Sequence, residues 1–357
     1  MVPPRSTLRR SLLLATPGLA LFPVDAALAL PPAALAFPRD HGAHPYFRTE
    51  WWYITGALRS GEREFGFQVT FFRSRIDATQ AMNSRFAAKQ LVFAHAAITD
   101  VQGRKLWHDQ RIAREGFDVA KAATNDLSVR LRDWSMDRSD AGYRCRIVAG
   151  DFSLDLNCVP TQAVLPQGQN GLSRKGPQPE QASYYYSVPQ LAVQGGVTLQ
   201  GARTQVAGKA WLDHEWSNEL LHPEAVGWDW IGMNLDDGSA LTAFRLRRED
   251  GSTVWDGGSF RPAKGSVYVF SPGEAVFSPQ RRWTSPRSQT RYPVEWIVRT
   301  PADFYTVKAL VDDQELDSRA STGAIYWEGV ADLFDSNGKR VGRGYLEMTG
   351  YASRLKI

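Results

Sequence analysis

The sequence is poor in the features that mark several large function classes. Cysteine occurs only twice in 357 residues, as Cys145 and Cys158, so the chain can close at most one disulfide. The six histidines are scattered without metal-ligand spacing, and neither a Gly-rich phosphate loop nor a Gly-x-Ser-x-Gly elbow is present. Metallohydrolase, NTPase and α/β-hydrolase readings therefore lose their usual support, and no metal or cofactor is expected. Charge of one sign is scarce too. Lys and Arg number 42 against 38 Asp and Glu, a net +4, and no basic run of the kind that tracks phosphates occurs after the N-terminal segment, so nucleic acid is excluded as a partner. Helix-period stretches are few, and beyond the N-terminal segment no apolar run approaches the length that spans a bilayer, so the mature chain is expected to lack a transmembrane segment.

What is abundant is aromatic surface: 12 Trp, 12 Tyr and 17 Phe, more than a core of this size needs, which suits an apolar ligand site or a β-rich interior. The N-terminus has the order of an export signal over residues 1–29, possibly to 36: Arg5 and Arg9-Arg10, an apolar stretch from Leu12 to Val24 interrupted by Pro17 and Pro23, then Ala27-Leu28-Ala29 or Ala34-Leu35-Ala36 as cleavage site. The paired arginines point to twin-arginine export and a periplasmic or exported protein; the competing reading is an uncleaved anchor, for which the apolar stretch is short. Cys145 and Cys158 lie on two runs joined through Gly150-Asp151. A two-residue turn there pairs Cys145 with Leu156 and puts Cys158 diagonally on the same face, which leaves a disulfide and two buried thiols both open.

Period-two alternation dominates the rest. In Glu64 to Arg73 the residues Phe65, Phe67, Val69 and Phe71 share one face. Similar runs occur at 51–58, 91–100, 127–134, 206–216, 228–235, 240–247, 304–311 and 344–351, separated by the turn signals Gln102-Gly103, Asp237-Gly238, Asp250-Gly251 and Asn337-Gly338, whose glycines are expected at positive φ. This spacing predicts an all-β protein of antiparallel barrel or sandwich type. Short helices are expected only near Gln80–Gln90 and Glu219–Glu224. An irregular stretch at 160–181 reads as a functional loop, a candidate lid. An N-terminal domain is expected over 37–217 and a C-terminal one over 218–357; Tyr326-Trp327-Glu328-Gly329 weakly echoes Glu50 to Gly56, as tandem copies would.

The densest polar cluster is Trp211 to Ser217. Strand alternation puts His214 and Trp216 on one face and Asp213 and Glu215 on the other; a His beside an indole can move a proton next to a cation-stabilising ring, or it can be a satisfied core residue. The second cluster holds His41, His44, Arg48, Glu50, Trp51, Trp52 and Tyr53. There Glu50 is either an acid with a raised pKa in an apolar setting or the partner of Arg48. His95 is an isolated candidate, and Trp228 and Trp230 share a face opposite Asp229, as core residues or as walls of an apolar pocket.

Several strings in fixed order carry a resemblance over residues 37–352: Phe37 to Gly42, Glu50-Trp51-Trp52-Tyr53, Phe93-Ala94-His95, Gly171 to Gly176, Tyr184-Tyr185-Tyr186-Ser187, Asp213 to Ser217, Gly227 to Trp230 and Gly344 to Tyr351. Together they resemble the AttH-like proteins, which are similar to hydroxyneurosporene synthases (acyclic carotenoid 1,2-hydratases) and more distantly to lipocalin-like pericyclases. The resemblance implies two tandem antiparallel lipocalin-like (calycin) β-barrels with a ligand cavity at or between them. It implies catalysis through His214 and Trp216; a catalyst would take its acid from elsewhere than the family's next hairpin, with Asp213, Asp229 and Glu50 the candidates in that order, and Trp51, Trp52, Tyr53, His95, Tyr185, Trp228 and Trp230 are expected to bind the ligand. The family's Tyr and Asp on the next hairpin are missing from Leu241 to Leu246, where Phe replaces Tyr and no acid stands. Two functions are compatible with this pattern. One is an exported protein that binds an apolar isoprenoid- or lipid-like molecule and hydrates an alkene; the other is a non-catalytic periplasmic carrier of an apolar molecule linked to an envelope transport system. A hydrolase or pericyclase using the same cavity is a third.

Overall fold

The structure, a computed structural model, describes residues 29–32, 34–219 and 221–355. The expected leader, with Arg9-Arg10, lies outside the described residues as far as residue 28. The chain is built almost wholly of strands: β1 (Thr49–Ser60), β2 (Arg63–Arg75), β3 (Gln90–Asp100), β4 (Lys105–Arg114), β5 (Ala120–Ala122), β6 (Ser128–Leu131), β7 (Trp134–Ser139), β8 (Gly142–Val148), β9 (Phe152–Val159), β10 (Leu165–Pro166), β11 (Leu172–Arg174), β12 (Ala182–Leu199) and β13 (Ala202–Glu219) form one antiparallel sheet. A second sheet takes β14 (Gly227–Leu235), β15 (Ala240–Arg247), β16 (Thr253–Arg261), β17 (Tyr268–Val269) and β18 (Val276–Pro279). After a separate hairpin of β19 (Arg282–Thr284) and β20 (Arg291–Pro293), it continues with β21 (Glu295–Arg299), β22 (Phe304–Ala309), β23 (Glu315–Ser318), β24 (Ala324–Phe334) and β25 (Arg340–Met348).

Both sheets follow one plan. Successive hairpins run outward from the first strand, and that first strand also pairs with the last, β1 with β13 and β14 with β25. In the first sheet β3 and β4 approach β5 and β6, which brings the ends together into a nearly closed, lipocalin-like barrel. Each interior is filled: the first packs Trp52, Phe65, Phe67, Phe71, Trp134 and Trp216 among others, the second Trp296, Trp327, Tyr292 and Met348. Such packing is a core.

Local chemistry explains most of the strand ends. Gly238, Gly251 and Gly338 occupy the left-handed region at their hairpins, as expected, but at the β3–β4 turn the positive φ falls on Arg104 instead of Gly103. The Gly150-Asp151 turn gives the register Cys145↔Leu156 and Tyr143↔Cys158; both thiols are free and buried, and burial pushes Cys158 up to about 12 and Cys145 well above its usual value. Among the described residues, neither of the helices expected at Gln80–Gln90 and Glu219–Glu224 forms. A 3-10 turn at Asp77–Thr79 and irregular backbone replace the first, because its apolar residues Met82 and Phe86 have no face to bury against. The stretch 160–181 is no open lid either. Its β10 and β11 add to β12, and Gln162 and Gln167 reach the second sheet through Gly238, Arg261 and Ser259.

Candidate functional site

Strand parity sorts the candidate residues into two places. On β1 and β13 every second side chain enters the first barrel: Glu50 is the pairing partner of Trp216, and Trp52 that of His214. The alternate residues leave the barrel on its outer face, in two rows that each cross five strands. One row runs Ser187, Asp213, Tyr53, Thr70, His95; the next runs Tyr185, Glu215, Trp51, Phe72, Phe93. The outer face of the second sheet supplies an opposing row of Phe244, Trp230, Glu347 and Glu328, with Trp228 beside Leu246. Between these faces lies a cavity of about 760 Å3, large enough for a small organic ligand.

One part of the cavity is apolar and opens towards solvent at Arg48, Ile112, Asn218 and Pro223; its walls are Trp51, Phe72, Leu91, Phe93, Trp228 and Leu246. The enclosed part is lined by carboxyls. Asp213 accepts hydrogen bonds from Tyr185 (2.7 Å), Ser187 (2.6 Å) and the Trp211 indole (2.6 Å), and Trp230 donates to the Tyr185 oxygen at 3.3 Å. Burial nevertheless outweighs these bonds and lifts Asp213 to about 7, with Glu215 adding repulsion. Glu215 is tied to the Lys175 ammonium at 2.9 Å and to Ser183, and that ammonium lies over the Tyr185 and Phe244 rings. Across the cavity Glu328 and Glu347 face each other on adjacent strands. Burial drives both above the usual carboxylate range, and two such groups side by side hold at least one proton between them near neutral pH. The Tyr53 hydroxyl and Glu328 Oε1 are buried without a well-aligned hydrogen-bond partner. His95 bonds to the Tyr326 hydroxyl at 2.9 Å and to Ser321 at 2.8 Å; burial lowers it to about 3, so it is neutral.

The structure thus gathers Trp51, Tyr53, His95, Tyr185, Asp213, Trp228 and Trp230 around one cavity and takes five expected residues out of it. His214, Trp216, Trp52 and Glu50 face the interior of the first barrel. Trp52 stacks on His214 at 4.8 Å, and Trp216 stacks on His44 at 3.8 Å. Glu50 pairs with Arg73 at 2.7 Å, not with Arg48, and receives His44 at 2.7 Å and His214 at 2.9 Å. Burial alone would raise Glu50, but the hydrogen bonds from both histidines and the Arg73 charge hold it well below the usual range, so it is no proton donor. His214 is lowered to about 4 by burial, against the pull of Glu50. His44, Glu50 and His214 bring donor atoms within 4.8 Å of one another, yet the Arg73 guanidinium already neutralises that carboxylate and disfavours a further cation there. Asp229, too, turns inward, into the second barrel, where Arg245 at 2.7 Å and the Tyr351 hydroxyl at 2.9 Å hold it.

Lys175, Glu328 and Glu347 went unread in the sequence. For the two glutamates the signal was parity, Glu328 interrupting β24 on the face of Tyr326 and Glu347 interrupting β25 on the face of Tyr345; Lys175, just past β11, carried none. The Tyr326 to Gly329 echo of Glu50 to Gly56 is also reassigned. The strand that occupies the place of β1 in the second sheet is β14, and the true counterpart of the cross-strand pair Glu50–Arg73 is Asp229–Arg245.

A family model described as AttH-like matches residues 28–351. The crystal structure of an AttH from Nitrosomonas europaea is 48% identical, with a TM-score of 0.85 over 91% of this chain and 100% of that one. Kievitone hydratase from Nectria haematococca superposes with a TM-score of 0.69 at 14% identity over 92% of this chain and 95% of its own, and CghA with 0.50 at 13% over 89% and 94%; these two share the fold. A search of curated proteins gives no match.

Proposed function

The chain belongs to the AttH-like family, and from that premise we propose that the cavity between its sheets takes up an apolar, isoprenoid- or lipid-like molecule and adds water across one of its double bonds. The observation that carries this reading is a buried carboxyl, Asp213, poised at about 7 on an aromatic-walled cavity. A general acid works best when its pKa lies near the working pH. When Asp213 is protonated its bond with Tyr185 (2.7 Å) reverses, and Asp213 hands this proton to the Tyr185 oxygen as the Tyr185 hydroxyl proton, now turned from Asp213, passes to the alkene carbon. The tertiary cation so formed lies against the faces of Trp51, Trp228 and Trp230, which stabilise positive charge. Water then adds to the cation, and the proton it sheds goes to the Glu328–Glu347 pair. Alkene and water become an alcohol; Asp213 is left ionised and the glutamate pair gains one proton, and exchange with solvent resets both.

The name kievitone hydratase, on a protein with this fold, supports the reaction class. A carrier needs the aromatic walls without a poised acid, and while Glu215 is locked to Lys175, Asp213 forms no ion pair among the described residues. The paired Arg9-Arg10 supports export by the twin-arginine route; replacing both by Lys should retain the precursor in the cytoplasm.

The decisive experiment is organic extraction of the native protein and identification of what it retains, followed by incubation of that alkene with wild type, Asp213→Asn and Tyr185→Phe in 18O-labelled water. Labelled alcohol from wild type, at least ~100-fold less from either variant and near-unchanged Kd would support hydration. Tight binding with no labelled product from wild type would leave a carrier.

A further inference from the structure

Some of the large apolar side chains that stay exposed gather on one face, apart from others such as Tyr268, Ile297 and Phe304. Phe86 (66% exposed) and Phe117 lie beside Arg114, next to the cavity mouth, where Ile112 is also uncovered, and Met82 (51%) shares the loop that carries Phe86. They are held together by the loop at 76–89 and by the β4–β5 connection. Phe86 stacks on Phe117 at 5.6 Å. The Arg85 guanidinium lies 5.5 Å from the Phe117 centroid, and that of Arg114 lies 4.1 Å from it while donating to the Phe86 carbonyl at 2.8 Å. Arg114 is the cross-strand partner of Leu91, and Ile112 that of Phe93, so this patch is continuous with the apolar wall of the cavity.

Its charge is weakly positive. Arg48, Arg85, Lys89 and Arg114 form no ion pair among the described residues, whereas Asp77, the acid of the loop, is neutralised by Arg75 at 2.7 Å. Glu115 is turned towards the Ala122 amide; Asp118, exposed beside Phe117, and Glu219, at the mouth, are the other acids nearby. Rings that reach out of a surface beside unneutralised guanidiniums fit the boundary of an anionic bilayer, where apolar groups enter the acyl region and cations meet phosphates. We propose that this face docks on a bilayer containing anionic phospholipid, with the cavity mouth turned to the acyl chains, so that an apolar ligand transfers without crossing water. The docking site rests on the exposed patch, whichever chemistry the cavity performs.

The test uses the purified protein with sedimenting vesicles of phosphatidylcholine alone or mixed with phosphatidylglycerol. Binding is expected to the mixed vesicles, to fall by about tenfold or more in Arg85→Gln/Arg114→Gln and at high salt, and to vanish in Phe86→Ser/Phe117→Ser, while turnover or ligand Kd in detergent is unchanged. Hydrogen exchange on wild type supplies a readout that needs no variant: amides at 82–89 and 114–118 should gain protection on mixed vesicles. No sedimentation, equal binding to both vesicle types, or binding unmoved by either double variant would overturn the proposal. So would light scattering that shows a dimer broken by Phe86→Ser/Phe117→Ser, which would make the patch a contact between two copies of this chain.

Discussion

The buried ionisable residues of this protein pull its stability in opposite directions with pH. Asp213 is raised from 3.8 to about 7 by burial, so between these values the folded state binds a proton that the unfolded chain has lost. Its contribution is fully present below about pH 4 and is lost as pH rises through about 7, on the order of 4 kcal/mol. His214 at about 4 and His95 and His41 at about 3 act the other way: each is lowered from 6.5, chiefly by burial, so their contribution is present above about 6.5 and is lost as pH falls. Asp213→Asn removes only the first effect. Denaturant unfolding should therefore show the variant gaining on wild type steadily from pH 4 to pH 7, and a constant offset would place the Asp213 pKa elsewhere. Deletion of Arg73 tests the inner cluster: Arg73→Leu leaves Glu50 charged and buried, which should cost about 3–5 kcal/mol. Trp216→Ala should cost a similar ~3–5 kcal/mol through the cavity it leaves, yet leave ligand Kd unmoved, since that indole faces the barrel interior. The alternation of His214 and Trp216 against Asp213 and Glu215 was legible in the sequence. Which face held the site was not, because both faces of this sheet are covered and polarity marks neither as solvent. Arg48 looked like the partner of Glu50 because it is near in sequence; Arg73 is its partner because it sits directly across the β1–β2 pair.

At the level of elements, period-two patterning located β1, β2, β3, β13, β14, β15, β22 and β25 to within a few residues and the Gly150-Asp151 turn fixed the β8–β9 register, but the run 127–134 ran β6 into β7 across a turn, and β4, β16 and β24 went unread. The pattern also missed pieces whose partners are remote. β10 and β11 are too short to alternate, and they exist because β12 offers them an edge. The expected helix at 219–224 gave way to the crossing from one sheet to the next. Close strand contact adds a test. A side chain at Gly344 would fall on the Gly232 carbonyl oxygen of the neighbouring strand, so Gly344→Ala must push β25 away from β14. Calorimetry should show a loss of about 1–3 kcal/mol, and ligand affinity should fall with it, because the same strand pair sets Glu347 opposite Trp230.

Over the whole molecule, two filled barrels meet along a seam that is both glued and hollow. Thr99 to Gln314 at 2.9 Å, His95 to Tyr326 at 2.9 Å, Asn234 to the Ala210 carbonyl at 3.0 Å and Gln190 to Leu235 and Ser239 at 2.9 and 2.8 Å cross it. An isolated first half would leave Trp51, Phe72 and Phe93 uncovered, together with unpaired Asp213, and is expected to aggregate and bind nothing. The full chain should melt in a single calorimetric transition whose van't Hoff and calorimetric enthalpies agree; two separated peaks would show that the seam does not couple the halves. No periodicity in a sequence says which outer faces of two sheets will meet, so this level was the least legible.

A site walled by the outsides of two barrels is free of the constraint that governs a ligand held in a lumen. Substitutions at Trp51, Phe72, Phe93 or Phe244 change the shape of the cavity without opening a hole in either core. A lineage built this way can drift among substrates by exchanging a handful of wall residues, while selection for folding acts on a different set of side chains, one residue out of phase along the very same strands.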